Sequence, residues 1–312
     1  MKPEILIVGP LHPNVLARLD AEFTTHKLWL APDKDALVAR IAAKVRGIAT
    51  ASNDGASTKL IDALPELEVI ACVGVGYDAV DIDAARRRNI PVSNTPDVLN
   101  DCVADLAIGM MIGIGRNIAQ GDRFVRAGKW RKGPLPLATR VSGKRLGILG
   151  YGRIGRAIAK RAAAFDMRIS YHSRNKVADT PYTYHASAVE LAKHSDFMIV
   201  VTPGGKETFH MVNEQVIKAL GPKGFLINVS RGSVIDEAAL LKCLQDGSVG
   251  GAALDVFEQE PKMDEAFWTL DNVLLQPHVG SATDETRTAM GNLGIDNLLA
   301  HFSGKPVLTP VY

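Results

Sequence analysis

The chain has 312 residues, enough for two domains of ordinary size, and at 46% hydrophobic and 22% charged it has the composition of a globular protein with a sizeable core. A formal charge of only +2 argues against a bulk electrostatic partner such as nucleic acid or an anionic membrane surface. The three cysteines, Cys72, Cys102 and Cys243, are scattered and form no CxxC, which argues against a disulfide framework or a zinc site.

The opening MKPEILIVGP does not read as a signal peptide, and the most apolar stretch elsewhere, residues 106–115, is too short to span a bilayer. A reducing cytoplasm is the expected compartment. In chain order, EILIVG, VRGIATA, LEVIACVG and residues 90–93 read as strands of a first sheet within residues 1 to about 97. A helical stretch of about 99–128 follows, then the loop WRKGPLPLATRVSG. RLGILG, MRISYHS, DFMIVVT, GFLINVS, GGAALDV and NVLLQPH read as strands of a second sheet, from near Lys144 to His278. A last helix is expected at about 284–303. The strands are short and apolar on both faces, as in parallel sheets covered by helices on each side. The expected fold is α/β, with two Rossmann-like parallel-sheet domains and a cleft between them.

The stretch GILGYGRIGRAIAKR holds Gly150, Gly152 and Gly155 in a GxGxxG turn between a strand and a helical pattern. Glycine-rich turns are common, so the motif counts through that context. In a dinucleotide site the first glycine permits the tight turn, the second admits the pyrophosphate, and the third lets helix and strand pack closely. The helix N-terminus presents N–H groups to the phosphates. About 20 residues further on, an NAD site offers an acid to the ribose 2′-hydroxyl. Here the strand ends in YHSRNK. Ser173 and Arg174 suit a 2′-phosphate, by hydrogen bond and by charge, and Arg153 in the turn is a third candidate. The competing reading is a solvated basic loop. The missing acid favours NADP(H) over NAD(H).

Each of the last three strands of the second sheet delivers a chemically useful side chain at its end: Arg231 after GFLINVS, Asp255, Glu258 and Glu260 after GAAL, and His278 after NVLLQP. In open parallel sheets ligands sit outside these carboxyl ends. An arginine can grip a substrate carboxylate bidentately and polarise the adjacent carbonyl. A histidine can give its proton to the developing alkoxide, and a neighbouring carboxylate can fix its tautomer. Taken singly, each of these residues is more often structural. Their joint position after a nucleotide turn is what points to hydride transfer.

These segments, with VGVGYDAVDIDAARRRNIPVSNTPDVLND, INVSRGSVIDEAAL, ALDVFEQEP and LLQPHVGSATDETR in that order, resemble the D-2-hydroxyacid dehydrogenases over most of the chain. The resemblance implies that Arg231 binds and orients substrate, that His278 is the acid/base, and that Glu260 is its carboxylate partner. The formate dehydrogenases of the family have glutamine at that place, so the glutamate argues against formate oxidation. By the same resemblance Asp255 holds the nicotinamide carboxamide. Tyr151, Ile154, Thr202, Pro203, Val229, Arg231, His278 and Gly280 join the glycine turn as cofactor contacts. Where Thr202 stands the family usually has leucine.

The resemblance also implies that backbone N–H groups around Val75 and Gly76 bind the substrate carboxylate. This loop would be an anion nest, although a plain turn into a helix capped by Asp78 would read the same. Asp78, Asp81 and Asp83 read as helix-start residues, not as a metal site, and no metal is expected. Ser52, after the VRGIATA strand, is a further substrate-site candidate. The implied domains are residues 1–97 plus 287–312, flavodoxin-like and substrate-binding, and residues 98–286, dinucleotide-binding. The second includes a homodimerisation arm at about 99–140, in which Trp130 either reaches the partner's active site or packs at the interface. The loop GKWRKGPLPLATRVSGKRLGILGYGRIGR is similar to that of the glyoxylate/hydroxypyruvate reductases and hydroxyphenylpyruvate reductases. That implies NADPH-dependent reduction of glyoxylate, hydroxypyruvate or a larger 2-keto acid. Corepressors of the C-terminal-binding type share the fold and a similar triad. A binding protein of that kind would oxidise little NADPH on adding glyoxylate.

Overall fold

The computed structural model describes residues 2–312. It divides into two compact units: one runs to Leu99 and resumes over Ser281–Tyr312, and the other is Asn100–Gly280. The first unit holds strands β1 (Glu4–Ile7), β2 (Thr24–Lys27), β3 (Val45–Ala51), β4 (Val69–Val73) and β5 (Val92–Ser93). They form a parallel five-stranded sheet in the order β2-β1-β3-β4-β5, the flavodoxin-like order. Ile5, Ile7, Ala49, Val69 and Ala71 line one face of this sheet, and the Asp284–Phe302 helix covers them with Ile295 and Leu298. That helix is capped by Thr283, whose side chain accepts the Thr286 N–H, and the unit therefore resumes before it. The crossing at Gly280/Ser281 lies upstream of the 286/287 boundary read from the sequence.

The second unit holds β6 (Arg145–Leu149), β7 (Arg168–His172), β8 (Thr183–Tyr184), β9 (Phe197–Val200), β10 (Phe225–Asn228), β11 (Gly251–Leu254) and β12 (Val273–Leu275). All are parallel, in the order β12-β11-β10-β9-β6-β7-β8. Strand order reverses between β6 and β9, the place where doubly wound sheets bind ligands. The expectation of two parallel-sheet Rossmann-like domains is met.

Two strands escape the sequence pattern. Both β2 and β8 are edge strands, half-exposed, and TTHK and TY carry no apolar run. The helical stretch expected at 99–128 is two helices, Asn100–Gly115 and Ile118–Arg126. Asn117 breaks it with a left-handed φ of 53°. Of the aspartates read as helix-start residues, Asp81 is the cap of the Ile82–Arg87 helix, accepting the Ala84 N–H at 2.9 Å.

Candidate active site

The glycine turn leaves β6 at Leu149. Gly150 has φ 102°, and a Cβ there would stand 2.8 Å from the Thr202 nitrogen, so the position needs glycine twice over. A Cβ on Gly155 would meet the Gly150 oxygen at 2.2 Å, which is the close helix–strand packing expected of the third glycine. Around Gly152 nothing lies within 4 Å of such a Cβ. Gly152 also starts the Arg153–Ala163 helix with no side-chain cap. An open backbone at an uncapped helix start fits a pyrophosphate. Thr202 Oγ1, from the facing turn after β9, is buried with no hydrogen-bond partner among the described residues and suits a ligand. Pro203 follows it, and the Val229 N–H donates to Val200 O at 3.2 Å after β10. Tyr151 points inward, its ring stacked on Tyr171 at 4.4 Å.

At the end of β7, no carboxylate stands in Ser173–Lys176. Ser173 Oγ donates to Asn175 O at 2.7 Å, and Arg174 pairs with Glu207 at 3.3 Å with both side chains largely exposed. Pairs so exposed are held weakly, and Arg174 can exchange this partner for a phosphate.

The turn after β10 is built on Asn228, a side chain that the sequence reading passed over. It is buried, its Oδ1 accepts from the Ser230 N–H at 3.0 Å and hydroxyl at 2.8 Å, and its Nδ2 donates to Arg231 O at 3.0 Å. An amide at the end of an otherwise apolar strand was the available signal, since a buried amide must find partners. Arg231 Nη1 donates to Ser230 O at 2.8 Å.

Asp255, at the end of β11, is 1% exposed. Its Oδ1 accepts the Val279 N–H at 2.7 Å, its Oδ2 accepts the Gly280 N–H at 2.9 Å, and its backbone oxygen accepts the His278 N–H at 2.8 Å. One residue thus fixes the three-residue turn in which His278 adopts φ 54°. Burial pushes the Asp255 carboxyl up, against the pull of those two N–H groups and of His278.

His278 Nδ1 meets Glu260 Oε2 at 2.6 Å, and Glu260 Oε1 accepts the Phe257 N–H at 3.0 Å. Burial would raise the Glu260 carboxyl. The His278 hydrogen bond, the Phe257 N–H and the charges of His278 and Arg231 outweigh it and hold the group below its ordinary range. Guanidinium, carboxylate and imidazole are therefore within electrostatic reach of one another. Glu258, the other acid of this loop, pairs instead with His210 at 2.8 Å. Glu237 Oε1 accepts the Glu258 N–H at 2.6 Å and anchors the loop from below; it too went unread in the sequence.

Ser52, Val75 and Gly76 lie in the other unit. A Cβ on Gly74 would stand 1.8 Å from Ser52 Oγ, so this hydroxyl lies against the VGVG loop. The carbonyls of Gly74, Val75 and Gly76 are taken by the Thr95 N–H at 2.8 Å, Asn94 Nδ2 at 2.9 Å and Cys72 Sγ at 3.5 Å. With its carbonyls turned inward, the loop suits an anion at its N–H side. Trp130 is 69% exposed, in the turn Lys129–Lys132.

A doubly wound sheet carrying this turn and this imidazole–carboxylate pair defines a dinucleotide-dependent oxidoreductase. The family model described as D-isomer specific 2-hydroxyacid dehydrogenase, NAD binding domain, matches residues 108–280. The chain is 49% identical over 307 residues, 98% of each sequence, to a hydroxyphenylpyruvate reductase of Plectranthus scutellarioides. It is 46% identical, again over 98% of each, to glyoxylate/hydroxypyruvate reductase A of Arabidopsis thaliana. The crystal structure of an NADPH-dependent glyoxylate/hydroxypyruvate reductase from Sinorhizobium meliloti, in complex with NADP and malonate, superposes with a TM-score of 0.92. The identity is 45%, covering 100% of this chain and 97% of that one. The chain belongs to the D-isomer specific 2-hydroxyacid dehydrogenase family, and it is an enzyme that works with a nicotinamide dinucleotide.

Proposed function

We propose that this protein reduces small 2-keto acids, glyoxylate to glycolate and hydroxypyruvate to D-glycerate, with NADPH. The single observation that carries the chemistry is the 2.6 Å contact of His278 with Glu260 within reach of the Arg231 charge. When bound, the nicotinamide supplies the hydride. Arg231 grips the substrate carboxylate and polarises the keto group beside it. His278, oriented by Glu260 through Nδ1, gives the proton of Nε2 to the alkoxide oxygen, and the Glu260 carboxylate balances the imidazolium. Asp255 keeps the histidine turn in place. For the other unit by itself we propose an anion site made of Ser52 and the N–H groups of Val75 and Gly76. The choice of NADPH rests on Ser173 and Arg174 standing where an acid would repel a 2′-phosphate.

The 49% identity to a hydroxyphenylpyruvate reductase favours a second substrate class, aromatic 2-keto acids. A panel of 2-keto acids assayed with NADPH and NADH tests both readings. A higher kcat/KM for glyoxylate than for hydroxyphenylpyruvate supports the first, and the reverse supports the second. A clear preference for NADH would overturn the cofactor choice, and no turnover with any acid would overturn the reductase reading.

We also infer a homodimer. Residues 118–137 expose Ile118, Val125, Trp130 and Leu137, and none of the Ile118–Arg126 helix is buried. Sedimentation at the mass of a single chain would refute this. We infer a cytoplasmic location, which the scattered spacing of the three cysteines supports and which cell fractionation can check.

A further inference from the structure

The loop that carries Ser173 and Arg174 has few holds of its own on the exposed surface. Its far end is fixed by a buried group. Tyr171, in β7, is 0% exposed, yet its hydroxyl reaches Val177. It donates to Val177 O at 3.2 Å and accepts the Val177 N–H at 2.9 Å. One phenol oxygen thus saturates both backbone groups of the residue that closes the loop. The ring is wedged in turn. It stacks on Tyr151 of the glycine turn at 4.4 Å and 29°, and it tilts against Tyr184 of β8 at 5.5 Å. The Tyr151 hydroxyl bonds Thr180 Oγ1 at 3.1 Å. The Tyr184 hydroxyl donates to Ser173 O at 3.5 Å, so the segment after β7 hangs on three packed phenols, of which Tyr151 belongs to the pyrophosphate turn and Tyr171 holds the far end of the loop.

We propose that Tyr171 is a positioning residue for cofactor choice: its hydroxyl clamps the 173–177 loop in the conformation that offers Ser173 and Arg174 to an adenosine 2′-phosphate. The inference rests on the NADPH reading. A side chain held in place loses less entropy on binding than one on a fraying loop. Phenylalanine at 171 would keep the stacked ring and leave the Val177 N–H and C=O without this partner. The loss should fall on ligands that need the loop. A ligand lacking the 2′-phosphate uses the glycine turn and should be spared. Tyr171 itself touches no ligand in this scheme.

The test is Tyr171→Phe in the full chain, titrated by calorimetry with adenosine 2′,5′-bisphosphate and with 5′-AMP, and followed by amide exchange over 173–178. The Kd for the bisphosphate should rise roughly three- to tenfold, the range expected for loss of one or two hydrogen bonds. The Kd for 5′-AMP should stay unchanged and the loop amides should exchange faster. An equal loss for both ligands would mean that the phenol merely supports the turn, and no loss would mean that it holds nothing. Either result overturns the proposal. The wild-type protein separates the two levels. If it binds the bisphosphate no better than 5′-AMP, the NADPH reading fails and the clamp with it. If Arg174→Ala loses the bisphosphate preference while Tyr171→Phe keeps it, the clamp alone fails. Should the phenylalanine variant not fold, the wild-type Val177 amide decides. It must be protected from exchange, and exchange at the rate of an open loop sinks the clamp.

Discussion

Nδ1 of His278 and Oε2 of Glu260 are 2.6 Å apart, although 18 residues separate them along the chain. The carboxylate is held below its ordinary value of 4.5 although burial works to raise it, because His278, the Phe257 N–H and Arg231 prevail. A depressed carboxyl contributes stability that is complete above its unfolded value and is lost as pH falls through the folded one. Glu260→Gln removes that contribution. The drop in Tm on acidification from neutral pH to below 4.5 should therefore be smaller in the variant than in the wild type. A wild-type acid profile in the variant would show that the pair is not an ion pair.

His278→Ala removes the proton donor while leaving the glycine turn alone. We expect kcat for glyoxylate reduction to fall by about 10²- to 10⁴-fold, the usual value of a placed general acid. Binding of 5′-AMP should be unchanged in a titration. A variant with near-normal kcat would assign the proton to another group.

The apolar strands and the motifs at their ends were readable because both follow from local rules. Buried parallel strands are apolar on both faces, and a glycine turn has a fixed spacing. What escaped depends on which polar groups the fold buries and on the partners they meet there. Nothing in GFLINVS says that Asn228 will hold the Arg231 turn; only the burial of its amide does. Asp255 was read as a cofactor contact, and the grip of its carboxylate on the Val279 and Gly280 N–H groups went unread. Tyr171 reads as one more apolar strand residue until its hydroxyl is found on Val177. The helix break had a local sign that was not weighed: Gly115 ends the first helix and Asn117, a residue that tolerates the left-handed region, follows two residues on.

Arg231→Lys keeps the charge and loses the planar fork. A lysine ammonium is a point charge and cannot hold a carboxylate through two parallel bonds. Steady-state assays should show kcat/KM for glyoxylate lowered by roughly 10- to 100-fold, on the order of one or two charge-assisted hydrogen bonds. The KM for NADPH should move little. Equal efficiency in the lysine variant would remove Arg231 from substrate binding.

Arg174→Ala bears on the cofactor alone. The side chain is exposed and its pairing with Glu207 is weak, so folding should be untouched. KM for NADPH should rise about 3- to 15-fold, less than a buried charge-assisted contact because solvent screens this exposed arginine, while KM for NADH stays put. Parallel changes in both would place the arginine away from the 2′-phosphate.

Gly232, next to Arg231, meets the chain that carries Glu260. A Cβ there would stand 1.8 Å from the carbonyl carbon of Phe257 and 2.1 Å from the Glu258 nitrogen. Those are backbone atoms, so no side-chain rotation relieves the clash. In Gly232→Ala either the Arg231 turn or the 257–260 loop must move. Overpacking of this kind costs about 1–3 kcal/mol, which a denaturant melt can read. Activity should suffer more than stability, since a small displacement of the loop spoils the 2.6 Å contact that orients His278. Wild-type melting together with wild-type kcat in the alanine variant would mean that the two segments are not packed as the structure has them.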